Sequence, residues 1–253
     1  MTGARYRQIA DELRERIALG DVGSGGALES EAALGGRYLA SRMTIRKALD
    51  LLRDEGLLES RQGAGWFVAG RSFHQALAIG SFRHAESAVT SAGQQLHRRV
   101  VSFAFEPAPD HVAAILGLRP GADTLHCRSV RSADGDPLER STEWVRPDLA
   151  ADISRADAAA PGIWQSLHRS GTTIDAVRQS ITAGIAGALD QSLLGAPVGS
   201  PLLLIRRVPL ATDGDPIALS DHRYLAHRFS LEVEFRGWSP LADEPPGLRE
   251  EPG

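Results

Sequence analysis

Arg37, Arg42, Arg46 and Lys47 occupy a stretch with no acidic residue, although the first seventy residues balance ten basic side chains against ten acidic ones. A local surplus of this kind on a chain of net charge -4 is what phosphate and base-edge contacts require. Arg42 and Arg46 are four apart and Lys47 follows, so on a helix all three leave one side. Ser41 and Thr44 stand beside them with hydroxyls that can bond phosphate oxygens, helped by the N–H groups of a helix start. Farther on, Gln62, Gly63 and Gly65 belong to a glycine-rich tip whose backbone can approach a groove closely. The same pattern also fits a protein-binding domain whose basic residues are merely solvated.

A second set lies later in the chain. Arg128, Arg131 and Arg178 interrupt apolar, strand-like runs, and Ser141, Ser220 and Tyr224 fall on neighbouring runs of the same kind. Guanidinium forks facing one cleft suit carboxylate or phosphate, so the expected occupant is a small, anionic effector. Catalysis would need a positioned acid–base pair or an activated nucleophile. The eight histidines form no recognisable pair, and neither Gly-x-Ser-x-Gly nor a phosphate loop occurs. His222 and His227 have no evident partners for a metal, and Cys127, the only cysteine, excludes an internal disulfide and any zinc site of several thiolates. The expectation is therefore no catalytic residue, no metal, no cofactor and no enzyme.

The elements that must position the first set are legible in apolar spacing. Ile9, Leu13 and Ile17 repeat on one face of a helix over 4–19, which the glycines at 20 and 23–26 stop. Ser30 reads as the N-cap of a short helix with Glu31 in its first turn, and Ser41 as the cap of a longer one over 42–55 with Ile45, Ala48, Leu49 and Leu52 inward. Gly56 suits a helix C-terminus. Strands over 57–60 and 66–68 then flank the glycine-rich tip. Three helices and a hairpin in that order make a winged helix-turn-helix.

The second set sits on a duplicated pattern. Leu116-Gly117 recurs as Leu194-Gly195, 78 residues later, and Asp134-Gly135-Asp136-Pro137 recurs as Asp213-Gly214-Asp215-Pro216. Each copy reads as strand, helix, strand, Asp-Gly turn, strand, and the two copies join into one antiparallel sheet with helices on one face. The fold class is α+β. The expected organisation is a DNA-binding domain over 1–69, a linker over 70–77 on which the heads pivot, and an effector-binding and dimerisation domain over 78–238. The proline- and acid-rich end over 239–253 reads as disordered.

With 42% hydrophobic and 24% charged residues the composition is that of a globular protein. Neither a leader-like apolar start nor an eighteen-residue apolar run is present, so the expected setting is cytoplasmic, with no membrane partner. Lys47 is the only lysine among 28 basic residues, which reflects coding bias better than any site.

The segments Ser41-Arg42-Met43-Thr44-Ile45-Arg46-Lys47-Ala48-Leu49, Glu55-Gly56-Leu57-Leu58 and Arg61-Gln62-Gly63-Ala64-Gly65-Trp66-Phe67-Val68 closely resemble the DNA-binding domain of the GntR family of bacterial repressors. The resemblance implies that Arg42, Thr44 and Arg46 enter the major groove, that the Gln62-Gly63 tip enters the minor groove, and that Ser30, Ser41 and Lys47 hold phosphates. Glu29 and Ala32 stand where the family usually has proline and arginine, which removes one contact and adds a negative charge. Residues 78–236 resemble the UTRA effector domain of the HutC-type subfamily, with a chorismate-lyase-like fold. The carrying residues include Arg131 with Asp134-Gly135-Asp136-Pro137, Arg178-Gln179, Leu194-Gly195-Ala196-Pro197 and Ser220 through Phe229. This second resemblance implies pocket arginines at Arg131 and Arg178 and a pocket tyrosine at Tyr224. Ser141 falls where members that bind sugar phosphates carry glutamate. The implied partners are double-stranded operator DNA, a small-molecule effector and a second copy of the chain. An all-helical, metal-dependent effector domain, also found behind such heads, is disfavoured by the Asp-Gly hairpins.

Overall fold

The computed structural model describes residues 2–69, 73–77 and 95–233. Three helices open the chain: α1 (Thr2–Ala18), α2 (Glu31–Tyr38) and α3 (Arg42–Asp54). Ile9, Leu13 and Ile17 of α1 meet Leu34 of α2 and Ile45, Leu49 and Leu52 of α3 in one core closed by Trp66 and Val68. Full burial of each large aliphatic side chain contributes roughly 1.5–3 kcal/mol, which fixes α3 against the other two helices. Ser30 and Ser41 cap α2 and α3, accepting from the N–H groups of Ala33 and Thr44. Between the helices Leu39 takes a left-handed conformation, φ 48°, and the Ala40 N–H bonds back to the Gly35 carbonyl. The hairpin β1 (Leu58–Arg61) and β2 (Gly65–Val68) follows, and Ala27 bridges to Phe67 on its inner side. This is the expected winged helix-turn-helix, with boundaries displaced by a residue or two.

The later part is built on a six-stranded antiparallel sheet of β4 (Leu96–Pro107), β5 (Asp123–Ala133), β6 (Asp136–Val145), β7 (Ala176–Ile185), β8 (Pro201–Leu210) and β9 (Ala218–Leu225). The order β4-β5-β6-β9-β8-β7 joins the two sequence repeats through the β6–β9 pair and leaves β4 and β7 as edges. The repeat helices α4 (Asp110–Ile115) and α8 (Ala188–Leu194) lie on one face, packing on Val208 and Leu219 and on Val130 and Leu225 respectively. The expectation of helices on one face is incomplete. The insertion between the repeats forms α5 (Pro147–Ala150), α6 (Arg155–Ala159) and α7 (Ile163–Arg169), which pack Ala150, Ala158, Ile163 and Leu167 on Val100, Leu125, Val145 and Ala218 of the other face. These helices are too short to show periodicity in sequence.

The linker differs more. Residues 73–77 form a strand, β3 (Phe73–Leu77), paired in parallel with β10 (Phe229–Val233). Of the expected linker over 70–77, the part at 73–77 is held in this ladder, and residues 70–72 lie outside the described residues. Alternation did not single it out because a two-stranded ladder leaves little apolar pattern. The expected disordered end lies outside the described residues.

Candidate functional site

α3 presents Arg42, Arg46 and Lys47 to solvent at its N-terminal half, with the Arg42 and Arg46 side chains 79% and 56% exposed. Thr44, by contrast, is buried, and its Oγ1 lies 2.9 Å from Ser41 Oγ. It braces the helix start, and only Ser41 of the two remains outward. Met43, apolar and so outside the polar set read from the sequence, is 68% exposed beside them. An apolar side chain there is suited to a thymine methyl. In the wing, Gly63 (φ 74°) and Gly65 (φ 103°) hold conformations that side chains strain to adopt, and Gln62 stands exposed at the tip.

Two acids discipline these cations. Glu31 of α2 accepts from Arg42 Nε (3.1 Å), Arg46 Nη2 (3.2 Å) and Trp66 Nε1 (3.3 Å). Burial alone would raise its carboxyl, but those three donors carry it below the usual carboxylate range. The stretch around α3 is acid-free in sequence and not in space. Glu31 holds both arginine forks side by side before DNA arrives. Glu29 accepts from Arg16 (2.9 Å) and Arg37 (2.7 Å), tying α1 to α2. The extra negative charge is thus neutralised inside the domain, and Arg37 is diverted from the basic surface rather than presented with it.

On the second domain, strand register arranges the face under α5–α7 in rows. One row reads Arg98, Arg131, Glu139, Tyr224, Leu203; the next Val100, Ser129, Ser141, His222, Ile205; the third Phe103, Cys127, Glu143, Ser220, Arg207, Gln179. Between this face and α7 lies a cavity of about 370 Å³ lined by Arg98, Arg131, Glu143, Trp164, Arg169, Arg207 and His222, among others. Trp164 Nε1 donates to Ser220 Oγ (3.2 Å), which pins α7 over the third row. Arg131 Nε lies 2.9 Å from Glu139, and Arg207 Nε donates to Gln179 (2.8 Å).

His222 is the hinge of this network. Arg207 Nη1 can only donate, so at 3.4 Å it meets the His222 Nε2 lone pair, and Nδ1–H is left to donate to Glu139 at 3.3 Å. Burial and the nearby guanidinium of Arg207 lower the His222 pKa against the pull of Glu139, so the ring is neutral. Burial works against the Glu139 charge, yet Arg131 and His222 hold its carboxyl well below the ordinary range. Burial and Glu143 push the Cys127 thiol up to about 12, which makes it inert.

Of the six residues expected at the effector site, the structure brings only Arg131 to the cavity wall. Ser220 is fully buried beneath it, positioning Trp164 and Glu143. Ser141 is buried against Ser129 at 2.9 Å. Tyr224 is 0% exposed and backs the cavity without lining it. Arg128 pairs with Thr142 and Arg178 with Val208, both on the opposite face, so neither can share a ligand with Arg131. Strand period decides this: a one-residue difference in register reverses the face, and the sequence did not supply the register. Arg98, Glu143, Trp164, Arg169, Arg207 and His222 were missed. Arg207 and Glu143 break apolar runs and were findable by that signal. The α7 residues were not, since no strand pattern covers them.

A stacked series leads away from the cavity. The His222 ring lies 6.1 Å from Tyr224, and Tyr224 lies 3.9 Å from Phe229 at an interplanar angle of 16°. Phe229 opens β10, the strand that pairs with β3 directly after the wing.

A winged helix with its cations on the third helix, joined by a shared ladder to a domain with an arginine-lined cavity, defines a ligand-controlled DNA-binding regulator. The chain belongs to the GntR family: residues 5–68 match the profile of the bacterial regulatory proteins of the gntR family, and residues 91–230 match the UTRA domain, the HutC-type combination. It is 31% identical over 235 residues to the HTH-type transcriptional regulator Rv0792c of Mycobacterium tuberculosis, covering 89% of this chain and 84% of that one. It is 26% identical to the HTH-type transcriptional repressor NagR of Bacillus subtilis, covering 89% and 92%. The crystal structure of PhnF from Mycobacterium smegmatis shares the fold, with a TM-score of 0.58 and 22% identity over 91% of this chain and all of that one. The family is one of transcriptional regulators and not of enzymes. The six-stranded sheet decides against an all-helical effector domain.

Proposed function

We propose that this chain is a homodimeric repressor whose hold on a pseudo-palindromic operator is set by a small anionic effector bound between the sheet and α7. The observation that carries the reading is the pairing of one solvent-facing cation set on α3 with a second cation set lining the cavity under α7. Arg42 and Arg46 read base edges, Lys47, Ser41 and Ser30 take phosphates, and the Gln62-Gly63-Ala64-Gly65 tip follows the minor groove. A single head with about four basic contacts binds weakly at physiological salt, so a second copy supplies the other half-site. The open edge strand β7, with Ile181 and Ile185 42% and 70% exposed, gives the second domain a surface for that pairing. Acting on DNA in a bacterial cell, the protein works in the cytoplasm. No helix among the described residues is long and apolar enough to cross a membrane.

The effector site comprises Arg98, Arg131, Arg169, Arg207, Glu143 and His222. A ligand that repositions His222 transmits through Tyr224 and Phe229 to β10 and β3, and so to the wing. The effector need only bind two head arrangements unequally, by about 1–3 kcal/mol, to change operator affinity some 5- to 150-fold. The test is operator release by a confirmed effector. Arg131→Lys, which keeps the charge and loses the fork, should blunt release while leaving ligand-free operator binding intact. Arg178→Ala, on the opposite face, should respond as the parent does. The reverse pattern overturns the site.

A further inference from the structure

The two repeats place corresponding side chains on the face of the sheet turned away from the effector cavity. Ser102, Arg128 and Thr142 correspond to Ser180, Arg206 and Asp221, which follow them by 78, 78 and 79 residues. Strand register sets all six in one row across the sheet, in the order Ser102, Arg128, Thr142, Asp221, Arg206, Ser180. The row runs between the apolar clusters that α4 and α8 cover. From Thr142 to Ser180 it lines a groove of about 430 Å³, within the range of ligand sites, about 300–1,000 Å³.

The two halves of the row differ at one position, and that position decides what the arginine touches. In the second half both Asp221 oxygens clasp Arg206, at 2.7 Å each. In the first half Thr142 stands where Asp221 stands, and a hydroxyl cannot close a guanidinium fork. Among the described residues no hydrogen bond or ion pair engages Arg128, although its Nε is buried. Two neighbours share that condition. Ser102, its strand partner on β4, and His126, two residues along β5 on the same face, bury Oγ and Nε2 with no hydrogen-bond partner among the described residues. His126 is only 8% exposed. The acids close by are already committed: Glu106 to His126 Nδ1 at 2.6 Å, and Asp190 to both Arg140 and Arg223, at 2.6 and 3.0 Å. Buried polar atoms are nearly always paired, so three of them on one patch mark a place for a partner that the domain itself does not supply. The second half of the row shows the chemistry of that partner.

We propose that Arg128 is the centre of a second ligand site, which takes a carboxylate in the position that Asp221 holds toward Arg206, between the hydroxyls of Ser102 and Thr142. The site lies across the sheet from the effector cavity and does not depend on it. The carboxylate can belong to a small acid in solution or to an aspartate or glutamate of a second copy of this chain, and the experiment separates the two sources.

Thermal melting of the full chain at about pH 7.5, where carboxylates are ionised, is titrated at constant ionic strength with acetate and lactate and with their uncharged amides, acetamide and lactamide. Sedimentation velocity reads association of the same samples. If a small acid is the source, acetate or lactate raises the melting temperature saturably and the amides do not. Arg128→Gln then weakens the acid about tenfold or more, and Arg131→Lys, across the sheet, leaves it as in the parent. If a second copy is the source, the acids have no saturable effect and Arg128→Gln raises the dimer dissociation constant about tenfold or more. Thr142→Asp gives the first half of the row the carboxylate of the second, and it keeps the test open should Arg128→Gln fail to fold. Because Asp221 opposite is neutralised by Arg206, the new carboxylate answers to Arg128: the variant should melt above Thr142→Asn, which has nearly the same volume and no charge, and should lose the acid response or the tight dimer. Thr142→Asp melting below Thr142→Asn overturns the proposal, as does an Arg128→Gln variant that changes neither the acid response nor the dissociation constant. An acid response kept in Arg128→Gln and lost in Arg131→Lys also overturns it; that result would place the acid in the effector cavity and leave the regulator reading standing.

Discussion

Replacing Arg46 by alanine separates the reading role of α3 from its structural role. The Arg46 side chain is 56% exposed and its one described partner is Glu31 at 3.2 Å, so its removal leaves no cavity. An ion pair of that exposure is worth about 0–1 kcal/mol. Glu31 also keeps Arg42 and the Trp66 indole as donors. The melting temperature of the DNA-binding domain should therefore fall by no more than about 4–8 °C. On DNA the loss is larger, because a bidentate contact to a base edge contributes about 1–3 kcal/mol per half-site. With two half-sites occupied by a dimer the loss becomes about 2–6 kcal/mol, which at 1.4 kcal/mol per decade is at least thirtyfold in affinity. Arg42→Ala should behave alike. Lys47→Ala should weaken all sequences equally and lower the salt slope by about one per head. Fluorescence anisotropy at moderate salt, beside a circular dichroism melt, reads both quantities. Unchanged operator affinity in both arginine variants would refute the assignment of α3 as the reading helix.

Three further outcomes follow from the second domain. Gly162 has φ 105° and an added Cβ would fall on the Arg98 guanidinium, so Gly162→Ala should cost about 1–3 kcal/mol and weaken effector binding, measured by urea unfolding and calorimetry; a variant equal to the parent in both would contradict the placement of Arg98. The effector domain should lose stability on acidification: below about pH 6.5 the unfolded chain protonates His222 while the buried ring stays neutral, and below about pH 4.3 it protonates Glu139, whose folded carboxyl resists. Both contributions have the same sign, so a melting temperature that rises between pH 7 and 5 would count against the network, and Glu139→Gln should flatten the lower limb. Phe229→Leu keeps apolar volume and removes the stack on Tyr224, so effector should still bind while its effect on operator affinity shrinks several-fold; an unaltered response would place the route elsewhere.

The winged helix was legible because every element in it carries its own local signal. Ile9, Leu13 and Ile17 keep helical period, Ser30 and Ser41 are caps, and Gly63 and Gly65 sit at the tip. The duplicated sheet was legible for a different reason: Asp134-Gly135 and Asp213-Gly214 mark two turns in the same relation to their strands. What sequence could not supply was register. Arg131 and Arg178 are equivalent as arginines on strands, yet pairing with Glu139 and Val208 puts them on opposite faces. The same limit hid Glu31, which is remote from α3 in the chain and touches it only through the fold. The α7 wall of the cavity was invisible because seven residues give a helix no measurable period, and Trp164 owes its place to a hydrogen bond with Ser220.

Selection of binding sites from a random DNA duplex library by the full chain tests the central claim most directly. The account predicts enrichment of an inverted repeat whose half-sites are centred one helical turn, about 10–10.5 base pairs, or a multiple of it apart. It also predicts that the enriched duplex binds about 10³–10⁷ times more tightly than unselected DNA and that Arg46→Ala lowers this preference about thirtyfold or more. Recovery of no common sequence, or equal affinity for selected and unselected duplexes, would contradict it.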